Sequence, residues 1–452
     1  MRILFCLILF PLLAICSVND IIEEYLPDAF VAVQVTDLNK NKDRVAINTN
    51  KYFVPASLAK VFTAKAGLEI LGDNYRYKTD LLWKPQLLKK TVYTGDIKII
   101  TSGDPRLDSV EVTKLIKALK ERGIKHIIGN IVLTKNSYNS YPMGWTSDSL
   151  SWSYSPPISD NIINNNSFTI DVNPNKKINS KPKLITKSTG ISVSNNLKSM
   201  DKKYTDEHCA INISAYEDNK YILSGCIPAR KHRMRLNLSA ADPDALLRSV
   251  ITKALKRYNI KLKGRYVETT KHKNFKLLQR HNSEPLSKLI STMLQKSDNL
   301  ISESLLRTIG QKNYSSRTFQ SGNTAVREYL LNNGFNSEDF KLFDGSGLSR
   351  YNQIKASMFN EFWKKNNDPG FINKLSSSGN NGTLEHRFKK SELKGKISAK
   401  TGSMKGISGI SGVMRSKRNK QLAVTIIANN VNDHASAKIM EEELLDYIYN
   451  RW

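Results

Sequence analysis

Pro55-Ala56-Ser57-Leu58-Ala59-Lys60-Val61-Phe62 is the stretch from which the rest of the chain can be read. Proline suits the first turn of a helix and Gly72-Asp73-Asn74 ends the apolar run, so the sequence predicts a helix from about Ala56 to Leu71 with Ser57 at its N-terminus. Ser57 and Lys60 stand three apart and share one face of that helix, within hydrogen-bond reach. A lysine can act as the serine's base only if its amine is partly neutral, a state favoured by burial and by a second nearby cation.

Two further strings supply the remaining chemistry. Leu286, Leu289, Ile290, Met293 and Leu294 recur at helical spacing, as do Leu300, Ile301, Leu305, Leu306 and Ile309, so Ser297-Asp298-Asn299 falls between two helices and projects a hydroxyl and an amide into a cleft. Lys400-Thr401-Gly402 is expected to end a strand. There Lys400, the second cation, and Thr401 would hold a substrate carboxylate, while the glycine lets an extended substrate approach. Backbone N–H groups of Ser57 and Ser403 would form the oxyanion hole. Together the three strings read as a serine acyl-transfer site.

Other copies of these strings lack the context. Ser180 to Lys183 also fits Ser-x-x-Lys, but Lys181-Pro182 disfavours a helix, and Ser391 to Lys394 lies in a charged loop. Ser159-Asp160-Asn161 follows Pro156-Pro157 and reads as a turn. The seven histidines are isolated, no Gly-x-Ser-x-Gly elbow occurs, and no Cys/His spacing suits zinc, so neither metal nor cofactor is expected.

At 452 residues with 40% hydrophobic content, the chain has material for two to three domains with real cores. The net charge of +28 comes from lysines scattered among asparagines, without a basic arm or an aromatic-basic repeat. That pattern excludes nucleic acid as the expected partner and suits attraction to anionic envelope polymers.

Arg2 followed by apolar Ile3 to Ile15 reads as a secretory signal, cleaved near Ala14 to Ser17; at about 13 residues the run is too short for a permanent membrane span. Ile15 before Cys16 argues against a lipoprotein site. Export to the periplasm, with loose association to the envelope, is the expected localisation. It leaves Cys209 and Cys226, equidistant from a hairpin centre between Glu217 and Asp218, and a disulfide between them is expected.

Ala29 to Val35 and Arg44 to Ile47 read as paired strands, Lys396 to Thr401, Gly409 to Arg415 and Gln421 to Asn429 as further strands, and His434 to Tyr449 as an amphipathic helix. Between about Thr79 and Phe275 lie short strand-like segments and Asn- and Pro-rich loops, with one clear helix near Asp242 to Tyr258. The fold class is α/β (α+β): one domain whose sheet is completed by both ends of the chain, interrupted by inserted material rich in β.

At these residues the chain resembles the penicillin-recognising serine enzymes. More narrowly, it is similar to the D-alanyl-D-alanine carboxypeptidase/endopeptidases of the class C low-molecular-mass penicillin-binding proteins. Ser102-Gly103-Asp104-Pro105-Arg106-Leu107, Asp344 to Asn352, Gly382-Thr383-Leu384 ahead of Arg387, and Ser224-Gly225-Cys226-Ile227-Pro228 look like segments of that family, and the 240 positions from Ser57 to Ser297 match its two nested insertions. The resemblance implies a signal peptide over 1–17, a transpeptidase-like domain split into 18–78 and 276–452, an inserted domain of 79–160 and 238–275, and a nested subdomain of 161–237.

It also implies the chemistry and the partners. Lys60 would deprotonate Ser57, Ser297 would relay the proton to the leaving amine, and Asn299, Lys400, Thr401, Ser403 and Arg387 would contact substrate. The substrate would be the D-Ala-D-Ala end or a D-Ala cross-link of peptidoglycan stem peptides, and β-lactams would acylate the same serine. Asn164 stands where some relatives carry an acid that binds a substrate amine. The rivals are a β-lactamase, whose Glu-x-x-Leu-Asn string is matched by Glu328 to Asn332 on what reads as a structural helix, and a non-catalytic wall-binding protein. Oligomeric state is left open.

Overall fold

The computed structural model describes residues 17–135, 141–201, 209–229, 232–269 and 274–452. The expected leader falls outside these residues except for Ser17, whose side chain caps the helix Val18–Tyr25.

A six-stranded antiparallel sheet forms the main body, in the order Lys42–Ile47, Phe30–Asp37, Gln421–Asn429, Ile407–Arg415, Ile397–Met404, Ser376–Ser377. Early and late segments pair directly, with Val33 opposite Ile426, so the two ends of the chain complete one sheet. Both faces are covered, which explains why Gln421–Asn429 is a nearly continuous apolar run instead of an alternating one. Val18–Tyr25 and His434–Arg451 cover one face through Ile21, Met440, Leu444 and Ile448. The opposite face packs on a larger core built from the helices Lys60–Leu71, Leu286–Lys296, Asn299–Tyr314, Phe319–Asn332 and Ala356–Lys365. Lys60–Leu71 buries most of its first two turns in that core and shows solvent chiefly Glu69, which pairs with Lys65.

The insertion leaves and returns along one ladder. Lys78–Trp83 pairs antiparallel with Lys276–Asn282, from Lys78 opposite Asn282 to Trp83 opposite Lys276, so about two hundred residues hang from two adjacent strands. This sheet of five strands takes in residues 276–282, which the sequence reading had put with the main body. One hydrophobic core runs from Leu81 and Ile99 through the helices Ser109–Glu121 and Pro243–Arg257 to Phe168, Leu197 and Leu238, so the nested strands share the core of the insertion that carries them.

Within the nested part, Ile211–Tyr216 and Lys220–Pro228 form the expected hairpin, with its centre at Asp218. Cys209 and Cys226 are joined, their Cα atoms 5.3 Å apart. Continued to Cys209, the register would set it opposite Ile227, so the bonded cysteines stand one residue out of register instead of directly opposite each other. Ser192–Met200 adds to this hairpin in parallel, a pairing between distant segments that no local pattern signalled.

Candidate active site

Pro55 does open a helical segment, but its first turn is a tight 3-10 turn, Ala56–Ala59, before the α-helix Lys60–Leu71 begins. Ala56 sits at φ +47°, a left-handed conformation that a residue with a Cβ adopts only under constraint. Two glycines make room for this elbow. A Cβ on Gly347 would lie 1.8 Å from the Ala56 carbonyl oxygen, and one on Gly402 would lie 2.9 Å from the Pro55 carbonyl oxygen. Gly402 is therefore needed for the strand to pack against the nucleophile's turn, a more immediate reason than the approach of substrate. Lys400-Thr401-Gly402 also lies inside the strand Ile397–Met404 instead of ending it, which turns Lys400 inwards and leaves Ser403 exposed at the cleft.

Ser297 ends one helix in the left-handed conformation, φ +58°, and the Asp298 side chain caps the next by accepting from the Ile301 N–H at 2.9 Å. The sharp reversal between the two caps projects Ser297 and Asn299 to one side.

The Lys60 amine, fully buried, has three acceptors: Ser57 Oγ at 2.8 Å, Asn299 Oδ1 at 2.6 Å and the Ser346 carbonyl at 2.6 Å. Burial lowers its pKa to about 8, against the opposing pull of Asp344, Glu303 and Asp298. Burial, not the second cation, is the leading cause. Lys400, also fully buried, donates to Ser297 Oγ at 3.0 Å and to the Thr401 carbonyl at 2.6 Å, and burial followed by the charge of Lys60 depresses its amine strongly. Thr401 Oγ1 donates to Thr383 Oγ1 at 2.8 Å, which ties Gly382-Thr383-Leu384 to the same strand. Asn299 Nδ2 donates to the Tyr154 carbonyl at 2.7 Å, so the insertion forms one wall.

Ser57, Ser297, Asn299 and Ser403 line one cleft of about 740 Å³, with Asp148, Ser149 and Tyr154 from the insertion opposite. A larger cavity of about 970 Å³, lined by Tyr141, Arg317, Phe319 and Phe343, contains none of the reactive side chains, so the chemistry belongs to the smaller one.

Two sequence-stated residues lie elsewhere. Asn164 accepts from the Ser109 N–H at 2.9 Å and braces the start of the helix Ser109–Glu121, away from the cleft lining. Arg387 donates to Glu442 at 2.6 Å, to Glu441 at 2.9 Å and to the Lys438 carbonyl at 3.3 Å, so all three of its nitrogens are engaged by the C-terminal helix. An acid does stand in the cleft, and it is Asp148, its carboxyl held below the usual range by the Thr146 hydroxyl and then by Lys405 and Arg350. Sequence reasoning missed it because Thr146 to Tyr154 is an irregular segment with no periodicity. The nearby Trp145 anchors this segment to the main body by donating from Nε1 to Asp344 at 2.9 Å, a contact across 199 positions that no local pattern announces.

A serine hydroxyl against a buried, partly neutral amine, with a second buried lysine and a hydroxyl-amide pair across the cleft, is the arrangement of a serine acyl-transfer site. The chain belongs to the D-Ala-D-Ala carboxypeptidase 3 (S13) family, whose profile matches residues 17–447. It is 29% identical over 430 residues to the D-alanyl-D-alanine carboxypeptidase DacB of Haemophilus influenzae, covering 93% of this chain and 89% of that protein. The crystal structure of penicillin binding protein 4 (dacB) from Haemophilus influenzae matches with a TM-score of 0.89 at 28% identity, covering 96% of this chain and 100% of that one. The same protein complexed with a β-lactam matches with a TM-score of 0.84 at 27% identity, over 96% and 100% of the two chains.

Proposed function

We propose that this chain is a penicillin-binding serine D-Ala-D-Ala carboxypeptidase that also opens D-Ala cross-links, acting on peptidoglycan stem peptides through an acyl-enzyme on Ser57. The observation that carries the reading is the 2.8 Å contact between the Ser57 hydroxyl and the buried Lys60 amine. With a pKa near 8, that amine is neutral in an appreciable fraction of molecules at neutral pH, so it can take the serine proton.

In this reading Ser57 attacks the carbonyl of the penultimate D-alanine while Lys60 accepts the hydroxyl proton. The N–H groups of Ser57 and Ser403 receive the developing oxyanion. Ser297, beside Lys400, passes a proton to the leaving amine, and water then releases the shortened peptide. Lys400 and Thr401 hold the terminal carboxylate, and Asp148, in place of Asn164, holds an amine on the peptide's third residue. The catalytic work falls to the split transpeptidase-like part of the chain, with the insertion supplying the cleft's second wall.

Glu328 speaks against rapid β-lactam turnover. It is exposed on the helix Phe319–Asn332, where it accepts from the Tyr314 hydroxyl, and it is not among the residues that line the cleft. A protein of this function works outside the cytoplasm, and we read the N-terminal apolar segment as its export signal. No helix among the described residues is long and apolar enough to cross a membrane.

Digestion of purified muropeptides, read by mass, tests the proposal. Loss of one alanine from pentapeptides and splitting of cross-linked dimers are expected, both abolished by prior exposure to penicillin. Intact substrates after incubation with folded protein would refute it.

A further inference from the structure

The Lys60 amine has a partner whose own support lies one turn further along the helix Asn299–Tyr314. Asn299 and Glu303 are four apart on it and share a face. Asn299 takes a hydrogen bond from Lys60 directly, while Glu303, fully buried, faces the loop from Asp344 to Ser349. Its two carboxyl oxygens accept from consecutive backbone groups, the Gly345 N–H at 3.1 Å and the Ser346 N–H at 2.7 Å. The carbonyl of that same Ser346 then accepts from Lys60 Nζ at 2.6 Å. Ser302 Oγ and Thr63 Oγ1 fix the Gly345 carbonyl from the two adjoining helices, at 2.6 and 2.8 Å. The Asp344 carboxylate holds the far side of the loop through the N–H groups of Gly347 and Ser349.

We propose that Glu303 is a positioning residue for acyl transfer: by clamping the loop at Gly345 and Ser346 it fixes the carbonyl that aims the Lys60 amine at the Ser57 hydroxyl. A buried carboxylate is expensive to maintain, and a loop of this size could be packed with apolar groups instead. Glu303 does more than fill space, because both its oxygens meet backbone donors whose geometry sets an acceptor for the general base.

The electrostatics add a second signature. Lys60 faces Glu303, Asp344 and Asp298, all of which favour its charged form, and it faces Lys400, whose amine it depresses. Glu303 faces Lys60 and Asp344, with Arg307 one turn on; burial, then Asp344, raises its carboxyl to about 8, while the bonds from Gly345 and Ser346 favour the ionised form. Below about 8 that carboxyl is mostly protonated, so replacing it by an amide leaves the charge felt by Lys60 little changed over the acid limb, and what the substitution alters is the position of the loop.

The inference rests on Ser57 as the acylated nucleophile, and the experiment separates the two. The second-order rate of acylation by a fluorescent penicillin is measured against pH for the parent and for Glu303→Gln, with thermal melting to establish folding. If the folded parent is not labelled at Ser57, the proposed function itself fails. If it is labelled, Glu303→Gln should acylate about ten- to a hundredfold more slowly at its plateau, as expected for a misplaced catalytic group. The acid limb of its pH profile should stay in place, because a misplaced amine lowers the plateau and not the pH at which the amine loses its proton. A plateau rate within twofold of the parent, or a slower rate at neutral pH that a displaced acid limb alone accounts for, overturns the proposal. Should the glutamine variant not fold, Ser302→Ala and Thr63→Val decide. Each loosens the same loop without changing charge and should slow acylation severalfold with the acid limb in place; unchanged rates in both would overturn the clamp.

Discussion

The chain contains the tripeptide Ser-Asp-Asn twice, and the two copies do opposite things. Ser297-Asp298-Asn299 sits at a break between helices, where Asp298 caps the second helix and the serine and amide face a cleft. Ser159-Asp160-Asn161 is buried between the insertion and the main body. There Asp160 pairs with Arg317 at 3.1 Å and Arg307 at 3.5 Å, and Asn161 bonds Thr101, the Thr134 carbonyl and Asp244. The turn expected from the sequence is a bend at Asp160 and Asn161, and it is a buried joint instead of a solvated one, because the carboxylate meets two arginines and the amide meets three partners inside. Identical side chains therefore differ by their surroundings: the serine and amide of one copy open on the cleft beside two buried lysines, while those of the other are enclosed by protein.

The comparison can be broken by matched substitutions. Asn299→Ala should cut penicillin acylation by about a hundredfold or more, since it removes a direct partner of the Lys60 amine, with little change in melting temperature. Asn161→Ala should do the reverse. It removes the hydrogen bonds to Thr101, the Thr134 carbonyl and Asp244 and should cost about 1–3 kcal/mol of stability, read by denaturant unfolding, while folded molecules acylate at the parent rate.

The active copy should also carry a pH dependence that the buried one lacks. Lys60 works as a base only when neutral, and its pKa lies near 8, so the acylation rate should climb with pH through that value and level off above it. Stability follows the same group. The folded state holds Lys60 at about 8 against an ordinary 10.5, so between those values the unfolded chain binds more protons and stability rises with pH. The penalty for burying the charged amine is fully present below about 8 and relieved across that window. Rate-pH and unfolding-pH profiles of the same preparation check both statements.

Smaller effects separate the cleft from the insertion's scaffold. Asp148→Asn should raise KM for a stem peptide bearing a free amine about tenfold and leave acylation by penicillin near the parent rate, whereas Asn164→Ala should cost about 1 kcal/mol of stability and leave KM unchanged. Replacing Cys209 and Cys226 by serine should lower the stability of the nested strands by about 3 kcal/mol, as loop closure predicts, without altering acylation.

These contrasts also mark what could be read from the chain in advance. Ser57, Lys60, Ser297 and Asn299 were legible because helix periodicity and breaks fix where such residues point, and Lys400 because its Lys-Thr-Gly string falls in a strand; the structure brings them together. Asn164 and Arg387 were placed by analogy with relatives, and their surroundings, a helix start and a pair of glutamates on a distant helix, depend on packing between segments far apart in sequence. Asp148 was invisible for the same reason: it reaches the cleft only because Trp145 and Tyr154 anchor an irregular segment against the main body. The parallel pairing of Ser192–Met200 with Lys220–Pro228 has no sequence signal at all, since nothing local distinguishes a parallel partner from an antiparallel one.

The central claim is that Ser57 forms the acyl bond. Penicillin-treated protein, digested and mapped by mass spectrometry, should carry one adduct, on the peptide containing Ser57, and Ser57→Ala protein of unchanged melting temperature should carry none. An adduct on any other residue, or undiminished labelling of the alanine variant, would contradict the account.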